Sequence, residues 1–231
     1  MHDGGGTHVE KLTILNKRVD LFRGESADAP LVVLNGEDGE GAAMRDAIRS
    51  QTDADFALAA IGGLDWDLEL TPWPAKGIRR GQDFGGQAGE WLSALTGEVL
   101  PRVLAKLGAK PRWTGLAGYS LAGLFALWTL YQSDVFDRVA SGSGSLWYPE
   151  FEAYAAANAF RRPPERLYLS LGDREALTKN PVMQPVEAVT RRLAERWSGE
   201  SLAMRFEINP GGHFNDPVGR MARGIAWLLQ G

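Results

Sequence analysis

The chain has 231 residues, 44% of them hydrophobic, with a formal net charge of −4 and no cysteine. This length and apolar content suit one buried domain, and the acidic net charge argues against nucleic acid as a partner. The lack of cysteine excludes disulfides, thiolate metal sites and a cysteine nucleophile.

The N-terminus and the apolar runs predict a cytoplasmic protein without membrane contact. Residues 1–7 are polar and glycine-rich, without the apolar centre of a signal peptide, and no apolar run reaches the ~18 residues that span a bilayer. We expect residues 1–8 to form a disordered tail and residues 9–231 to form one domain. The oligomeric state stays open.

Apolar segments in the first part of the chain predict four strands and one helix. Residues 9–15 and 18–22 alternate apolar and polar side chains, which is typical of half-buried strands. The continuous apolar runs at 31–34 and 56–61 predict strands buried on both faces. A helix is predicted between them, over residues 42–50.

The next segment, residues 62–86, has no clean period and predicts a long ordered loop, either a binding loop or a surface loop held by aromatic side chains. Residues 90–107 predict an amphipathic helix that Pro101 kinks near Leu100. Strands and helices alternate further along: strands at 113–117, 138–140, 166–171 and 202–208, and helices at 121–131, 151–160, 182–197 and 218–229. The sequence therefore predicts an α/β fold with a mostly parallel central sheet, helices on both faces and no separate cap domain.

A strand, a tight turn and a helix are predicted around the stretch Gly118-Tyr119-Ser120-Leu121-Ala122-Gly123. Small residues on both sides of a serine at such a turn are typical of a nucleophile elbow, with the pattern G-x-S-x-G. Ala122 departs mildly from that pattern. We predict that Ser120 is a nucleophile and that the Leu121 N–H is one donor of an oxyanion hole.

His213 is the predicted general base, because the other two histidines lie at or near the N-terminus. It follows the last strand on a glycine-rich turn, and an imidazole ordinarily titrates near neutral pH. In the chain order Ser, acid, His, the acid should follow the preceding strand, where Asp173 and Glu175 both occur. We prefer Glu175, three residues beyond Gly172, and keep Asp173 as the alternative; the other carboxylate would lie in a solvated turn.

The second oxyanion donor is predicted in Asn35-Gly36-Glu37, after the first buried strand, where related folds carry an HGGG-type segment. The Glu37 N–H is our choice and the Asp38 N–H comes next. Acidic side chains beside a developing anion are unfavourable unless they point to solvent.

Five segments together resemble one family. They are residues 118–125 (GYSLAGLF), 143–147 (SGSLW), 172–175 (GDRE), 211–213 (GGH) and 67–74, which ends in TPWP. From about Leu31 to its C-terminus the chain resembles the esterases of the α/β-hydrolase superfamily that include esterase D-like and enterochelin (siderophore) esterase-like enzymes.

The resemblance implies hydrolysis of a small-molecule carboxylic ester by Ser120, His213 and Glu175, through an acyl-enzyme and without a metal or organic cofactor. It also implies that Trp147 and Tyr148 line the acyl or aromatic end of the pocket, with core packing as the alternative. Tyr119 of the elbow is a further candidate for substrate contact.

Three functions stay open from the sequence. The first is ester hydrolysis, the second is acyl transfer to an alcohol by the same fold, and the third is a catalytically silent binding module, against which the complete Ser-acid-His set argues. An acidic siderophore substrate would need positively charged side chains in its binding site. The candidates are Arg79, Arg80, Arg174 and Lys179, although scattered basic residues more often lie on the solvated surface.

Overall fold

A computed structural model describes residues 9–79, 81–199 and 202–231 of the chain. The predicted tail, residues 1–8, lies outside these ranges, as does Arg80. The strands are β1 (Val9–Ile14), β2 (Lys17–Phe22), β3 (Leu31–Asn35), β4 (Ala57–Gly62), β5 (Pro74–Arg79), β6 (Gln82–Gly85), β7 (Thr114–Tyr119), β8 (Arg138–Gly142), β9 (Arg166–Gly172) and β10 (Ala203–Asn209). The α-helices are α1 (Gly41–Arg49), α2 (Trp66–Glu69), α3 (Ala88–Ala94), α4 (Leu100–Leu107), α5 (Leu121–Gln132), α6 (Phe151–Ala157), α7 (Val186–Trp197) and α8 (Pro217–Leu228).

Eight strands form one sheet in the order β1-β2-β4-β3-β7-β8-β9-β10. β2 pairs antiparallel with β1 and with β4, and all other neighbours in this sheet are parallel. The parallel strands therefore end at the same edge, where Asn35 of β3 is in register with Gly118 of β7. The predicted site residues follow these strand ends.

Helices cover both faces of the sheet, and the sheet divides the core into two clusters. One face packs Val32 and Leu34 of β3 against Met44 of α1 and Met221 of α8. The other face packs Leu31 and Val33 in a larger cluster that includes α3 and α5. Residues Leu121 to Tyr131 of α5 are all buried, because this helix lies under other elements as well as on the sheet. The predicted α/β fold is confirmed.

The segment 62–86 differs from the predicted loop. It contains the short helix α2 and the two-stranded hairpin of β5 and β6. The Thr71 hydroxyl joins them, because it donates to the Asp67 carbonyl at 2.8 Å and accepts the Gly86 N–H at 3.0 Å. The prediction was wrong because β5 buries no residue completely, so it lacks the apolar alternation of a strand.

The helix predicted over residues 90–107 is interrupted by a π-helical turn, Leu95–Val99, between α3 and α4. Pro101, the predicted cause of a kink near Leu100, lies in the first turn of α4, directly after this π-helical turn. Among the described helices, none has the length and apolar character needed to cross a membrane.

Candidate active site

The turn between β7 and α5 holds Ser120 in a strained backbone conformation, with φ 57° and ψ −121°. This conformation aims the side chain away from both elements. A Cβ placed on Gly118 would lie 2.7 Å from the Ala122 Cβ, and one on Gly123 would lie 2.7 Å from the Ser141 Oγ. The alanine at position 122 is accommodated because Gly118, opposite it, has no side chain.

The structure brings Ser120, His213 and Glu175 together from three strand ends. His213 Nε2 lies 3.0 Å from Ser120 Oγ, and His213 Nδ1 lies 2.8 Å from Glu175 Oε2. The histidine side chain is 17% exposed and the glutamate side chain 4% exposed. This hydrogen-bonded chain can move a proton from a hydroxyl to an imidazole and stabilise the resulting cation.

The other carboxylate oxygen of Glu175, Oε1, accepts three further hydrogen bonds. The donors are the Ser143 hydroxyl at 2.6 Å, the Gly172 N–H at 2.7 Å and the Arg220 guanidinium at 3.2 Å. Burial by itself would raise the pKa of Glu175, but the hydrogen bonds from His213, Ser143 and Gly172 outweigh it, so its pKa lies below the ordinary value. The group is therefore a carboxylate at neutral pH.

Arg220, in α8, lies behind this carboxylate and is 1% exposed. Its guanidinium also donates to the Tyr119 hydroxyl at 3.2 Å and to the Pro210 carbonyl at 2.9 Å. The Tyr119 hydroxyl in turn donates to the His213 carbonyl at 2.7 Å. Our sequence analysis did not identify Arg220; the available signal was an arginine on the otherwise apolar face of a buried helix, beside Met221.

Asp173 occupies a different position from Glu175. The Asp173 carboxylate accepts a hydrogen bond of 2.7 Å from the N–H of Gly211, which lies two residues before His213. The Asp173 side chain is 51% exposed. The structure thus places Glu175 against the imidazole and places Asp173 on the backbone of the turn that carries it.

The two predicted oxyanion donors have different surroundings. Leu121 opens α5, where the first N–H groups lack partners within the helix. The Glu37 N–H donates to Glu40 Oε2 at 3.2 Å, and burial raises the pKa of Glu40. The Glu37 and Asp38 side chains are exposed, and Asp38 pairs with Arg18, whose Nε lies 2.9 Å from Asp38 Oδ1. These two acidic side chains therefore reach solvent.

A cleft of about 600 Å³ adjoins Ser120 and His213, and Trp147 lines it. Tyr148 does not: it is 2% exposed, and its hydroxyl donates to the Trp73 carbonyl. Its ring packs 5.1 Å from that of Phe84, which does line the cleft. Tyr148 thus supports the wall of the cleft from the core. Within the described residues, no three His, Asp or Glu side chains are grouped as metal ligands.

Comparison with known proteins identifies one family and several similar structures. The family profile described as "Putative esterase" matches residues 54–216. YbbA of Bacillus subtilis (strain 168), described as an uncharacterised protein, is 27% identical over 154 residues; the match covers 65% of this chain and 62% of YbbA, less than two thirds of its length.

Two solved structures share the fold across nearly the whole chain. An IroE-like serine hydrolase from Shewanella oneidensis has a TM-score of 0.75 at 17% identity, covering 97% of this chain and 80% of that one. The siderophore hydrolase EstB from Aspergillus nidulans has a TM-score of 0.74 at 18% identity, and the match covers 99% of this chain and 96% of EstB.

Proposed function

Because the chain belongs to the esterase family, we propose that it is a carboxylic-ester hydrolase that works through an acyl-enzyme on Ser120. The observation that supports this most directly is the hydrogen-bonded chain from Ser120 Oγ to His213 Nε2 at 3.0 Å and from His213 Nδ1 to Glu175 Oε2 at 2.8 Å. Geometry of this kind activates a serine hydroxyl as a nucleophile.

In the proposed first half-reaction, His213 Nε2 takes the Ser120 proton while Oγ forms a bond to the ester carbonyl carbon, and the carbonyl oxygen becomes an oxyanion. The tetrahedral intermediate collapses by breaking the bond to the alcohol oxygen, which leaves with the proton from His213. Water then repeats the sequence on the acyl-enzyme and releases the acid and free Ser120. Glu175 holds the Nδ1 proton and stabilises the imidazolium in both halves.

We assign the oxyanion hole to the N–H groups of Leu121 and Glu37. The Glu37 N–H must exchange its bond to the Glu40 carboxylate for a bond to the oxyanion. Arg220 and Tyr119 are positioning residues in this proposal, because they touch Glu175 and the His213 backbone and not the reacting atoms.

The charge of the cleft favours a neutral ester over an anionic one. Glu37, Asp65 and Asp67 line it together with Arg79. Among the described residues of the cleft, a strongly anionic siderophore ester would meet more carboxylates than guanidinium groups. We therefore propose an uncharged small-molecule ester as the substrate, although the structural neighbour EstB is named a siderophore hydrolase.

Turnover of p-nitrophenyl acetate by the wild type and two variants tests this function. Ser120→Ala and His213→Ala should each lower kcat by at least roughly 1000-fold, because each removes a member of a unit that acts together. Ser93→Ala, an exposed serine in α3, is the control and should keep wild-type turnover. Undiminished hydrolysis by Ser120→Ala would contradict the proposal. Product analysis without an added alcohol separates hydrolysis from acyl transfer, because a hydrolase releases acetate in every cycle with water as the acceptor, whereas an enzyme that needs an alcohol acceptor stops at the acyl-enzyme.

A further inference from the structure

Two cavities, not one, meet at Ser120 and His213. The larger is the cleft of about 600 Å³, and the smaller has a volume of about 340 Å³. Both are lined by Trp66 and Phe214 as well as by the serine and the histidine. A molecule bonded to Ser120 Oγ can therefore extend to two sides.

The smaller cavity has rigid and mostly apolar walls, and Asn35, Glu37 and Glu40 line it as well. Leu34 of β3 and Met44 of α1 form one side, and Val218 and Met221 of α8 form the other. Leu34, Met44 and Met221 are at most 2% exposed and belong to the core between the sheet and the two helices. Because close-packed cores do not widen without cost, these walls set a firm limit on the size of a bound group.

The larger cavity is aromatic and opens to solvent. Of the two cavities, only this one is lined by Phe84, Trp147 and Ile78, and Ile78 is 38% exposed. Phe214, which is 88% exposed, borders both cavities. A flat, bulky group can lie against these rings and leave past the border without any movement of the core.

The carbonyl carbon of an ester bears two substituents that diverge once its oxygen is in the oxyanion hole. In the two-step reaction the alcohol must leave and water must enter before the acyl group is released. The alcohol therefore needs the open route, whereas the acyl group can stay enclosed while it is bonded to Ser120.

We propose that the smaller cavity holds the acyl group and the larger cavity holds the alcohol, so that the substrate is an ester of a compact apolar acid with a bulky, aromatic alcohol. This inference rests on the proposed acyl-enzyme at Ser120. Each methylene that fits the smaller cavity should raise kcat/KM by roughly fourfold through apolar burial. Longer acyl chains should then lower kcat/KM, because the cavity is full.

The test is the dependence of kcat/KM on acyl length, measured with p-nitrophenyl esters from acetate to octanoate. The wild type should show an optimum within this series. Val218→Phe places a larger side chain in the cavity wall and should move the optimum towards acetate, lowering the butyrate-to-acetate ratio at least tenfold. Val135→Phe makes the same change at an exposed site before β8, at the opposite edge of the sheet, and should keep the wild-type ratio.

A second series varies the alcohol, with methyl, benzyl and naphthylmethyl acetates. Val218→Phe should leave the ratios within this series unchanged. An unchanged acyl series would overturn the proposal, and so would a change confined to the alcohol series. Labelling of Ser120 by a fluorophosphonate keeps the two proposals separate: a Val218→Phe variant that still labels has an intact nucleophile, whereas a wild type that does not label refutes the acyl-enzyme itself.

Discussion

Glu175 and Asp173 stand two positions apart but have different environments, and this difference determines what each residue contributes. Glu175 is buried against His213 and Arg220, whereas Asp173 is half exposed and accepts a single backbone N–H from Gly211. A carboxylate that orients the catalytic imidazole is difficult to replace, because the tautomer and the imidazolium both depend on it.

Glu175→Gln should lower kcat by roughly 10⁴-fold, as amide replacements of such acids do when the geometry is kept. Asp173→Asn should lower it less than about tenfold, because an amide oxygen can still accept the Gly211 N–H. Steady-state kinetics on both variants measures the difference. The opposite order of effects would assign the role of the acid to Asp173.

The Glu40 carboxylate occupies a hydrogen bond that the reaction needs. It accepts the Glu37 N–H at 3.2 Å, and an oxyanion at the same N–H must compete with it. Glu40→Gln keeps an acceptor but removes the charge, and hydrogen bonds to charged groups exceed neutral ones by about 1 kcal/mol. We expect kcat to rise roughly fivefold.

Glu37→Gln is the matched control for Glu40→Gln, because it removes an exposed carboxylate at the same cleft and leaves the backbone contact in place. It should change kcat less than Glu40→Gln does. A fall in kcat for Glu40→Gln would mean that the charged carboxylate instead holds the Glu37 loop in its active conformation.

At the scale of elements, the hairpin of β5 and β6 forms one wall of the cleft and depends on a glycine. A Cβ on Gly77 would overlap the Gln82 carbonyl across the hairpin. Ile78, Arg79, Gln82 and Phe84 of this hairpin line the cleft. Displacing the hairpin should therefore alter substrate binding more than it alters the sheet.

Gly77→Ala should raise KM for an aromatic ester at least about tenfold, with a loss of stability in the usual range of 0.5–3 kcal/mol. Gly97→Ala is the control, since a Cβ there meets no atom within 4 Å, and it should keep the wild-type KM. Kinetics together with thermal unfolding checks both statements. An unchanged KM in a folded Gly77→Ala variant would show that the hairpin does not contact substrate.

Elements with strong local signals were predictable from the sequence, and those that depend on distant partners were not. A continuous apolar run predicts the buried strand at 31–34, and the small residues around Ser120 predict the elbow. The hairpin at 74–85 lacks alternation because it packs at the cleft and not in a layered core.

The same reason explains the site residues that the sequence did not reveal. Arg220 acquires its role from Glu175, which lies 45 residues before it in the chain. Tyr148 follows Trp147 directly, yet the chain turns between them, so that one side chain faces the cleft and the other the core. The local sequence marks Arg220 as a buried arginine but does not show its partner, and it does not distinguish the burial of Tyr148 from that of Trp147. The roles of Ser120, Glu175 and His213 stay predictions until they are tested.

At the scale of the whole molecule, the buried Glu175 should make the stability depend on pH. Its pKa in the folded protein lies below the ordinary value of 4.5. The folded state therefore binds fewer protons than the unfolded state as the pH falls through this region, so the free energy of unfolding decreases with falling pH. The contribution is complete about one pH unit above the unfolded value of 4.5 and is lost progressively as the pH falls from there through the folded pKa.

Urea unfolding of the wild type and of Glu175→Gln between pH 3 and pH 5.5 tests this effect, because the variant lacks the titrating carboxyl group but shares all other carboxylates. The difference in unfolding free energy should be largest near pH 5.5 and should shrink as the pH falls. A difference that grows with acidity would mean that burial dominates and that the pKa of Glu175 is raised.

The measurement that tests the central claim most directly is intact-mass analysis after treatment with a small fluorophosphonate. The reagent phosphonylates an activated serine with loss of fluoride, so the account predicts one adduct on the wild type and none on Ser120→Ala. Ser145→Ala is the matched control, because its hydroxyl lies 3.3 Å from that of Ser120, and it should still label. A folded wild type that forms no adduct, or a Ser120→Ala variant that forms one, would contradict the assignment of Ser120 as the nucleophile.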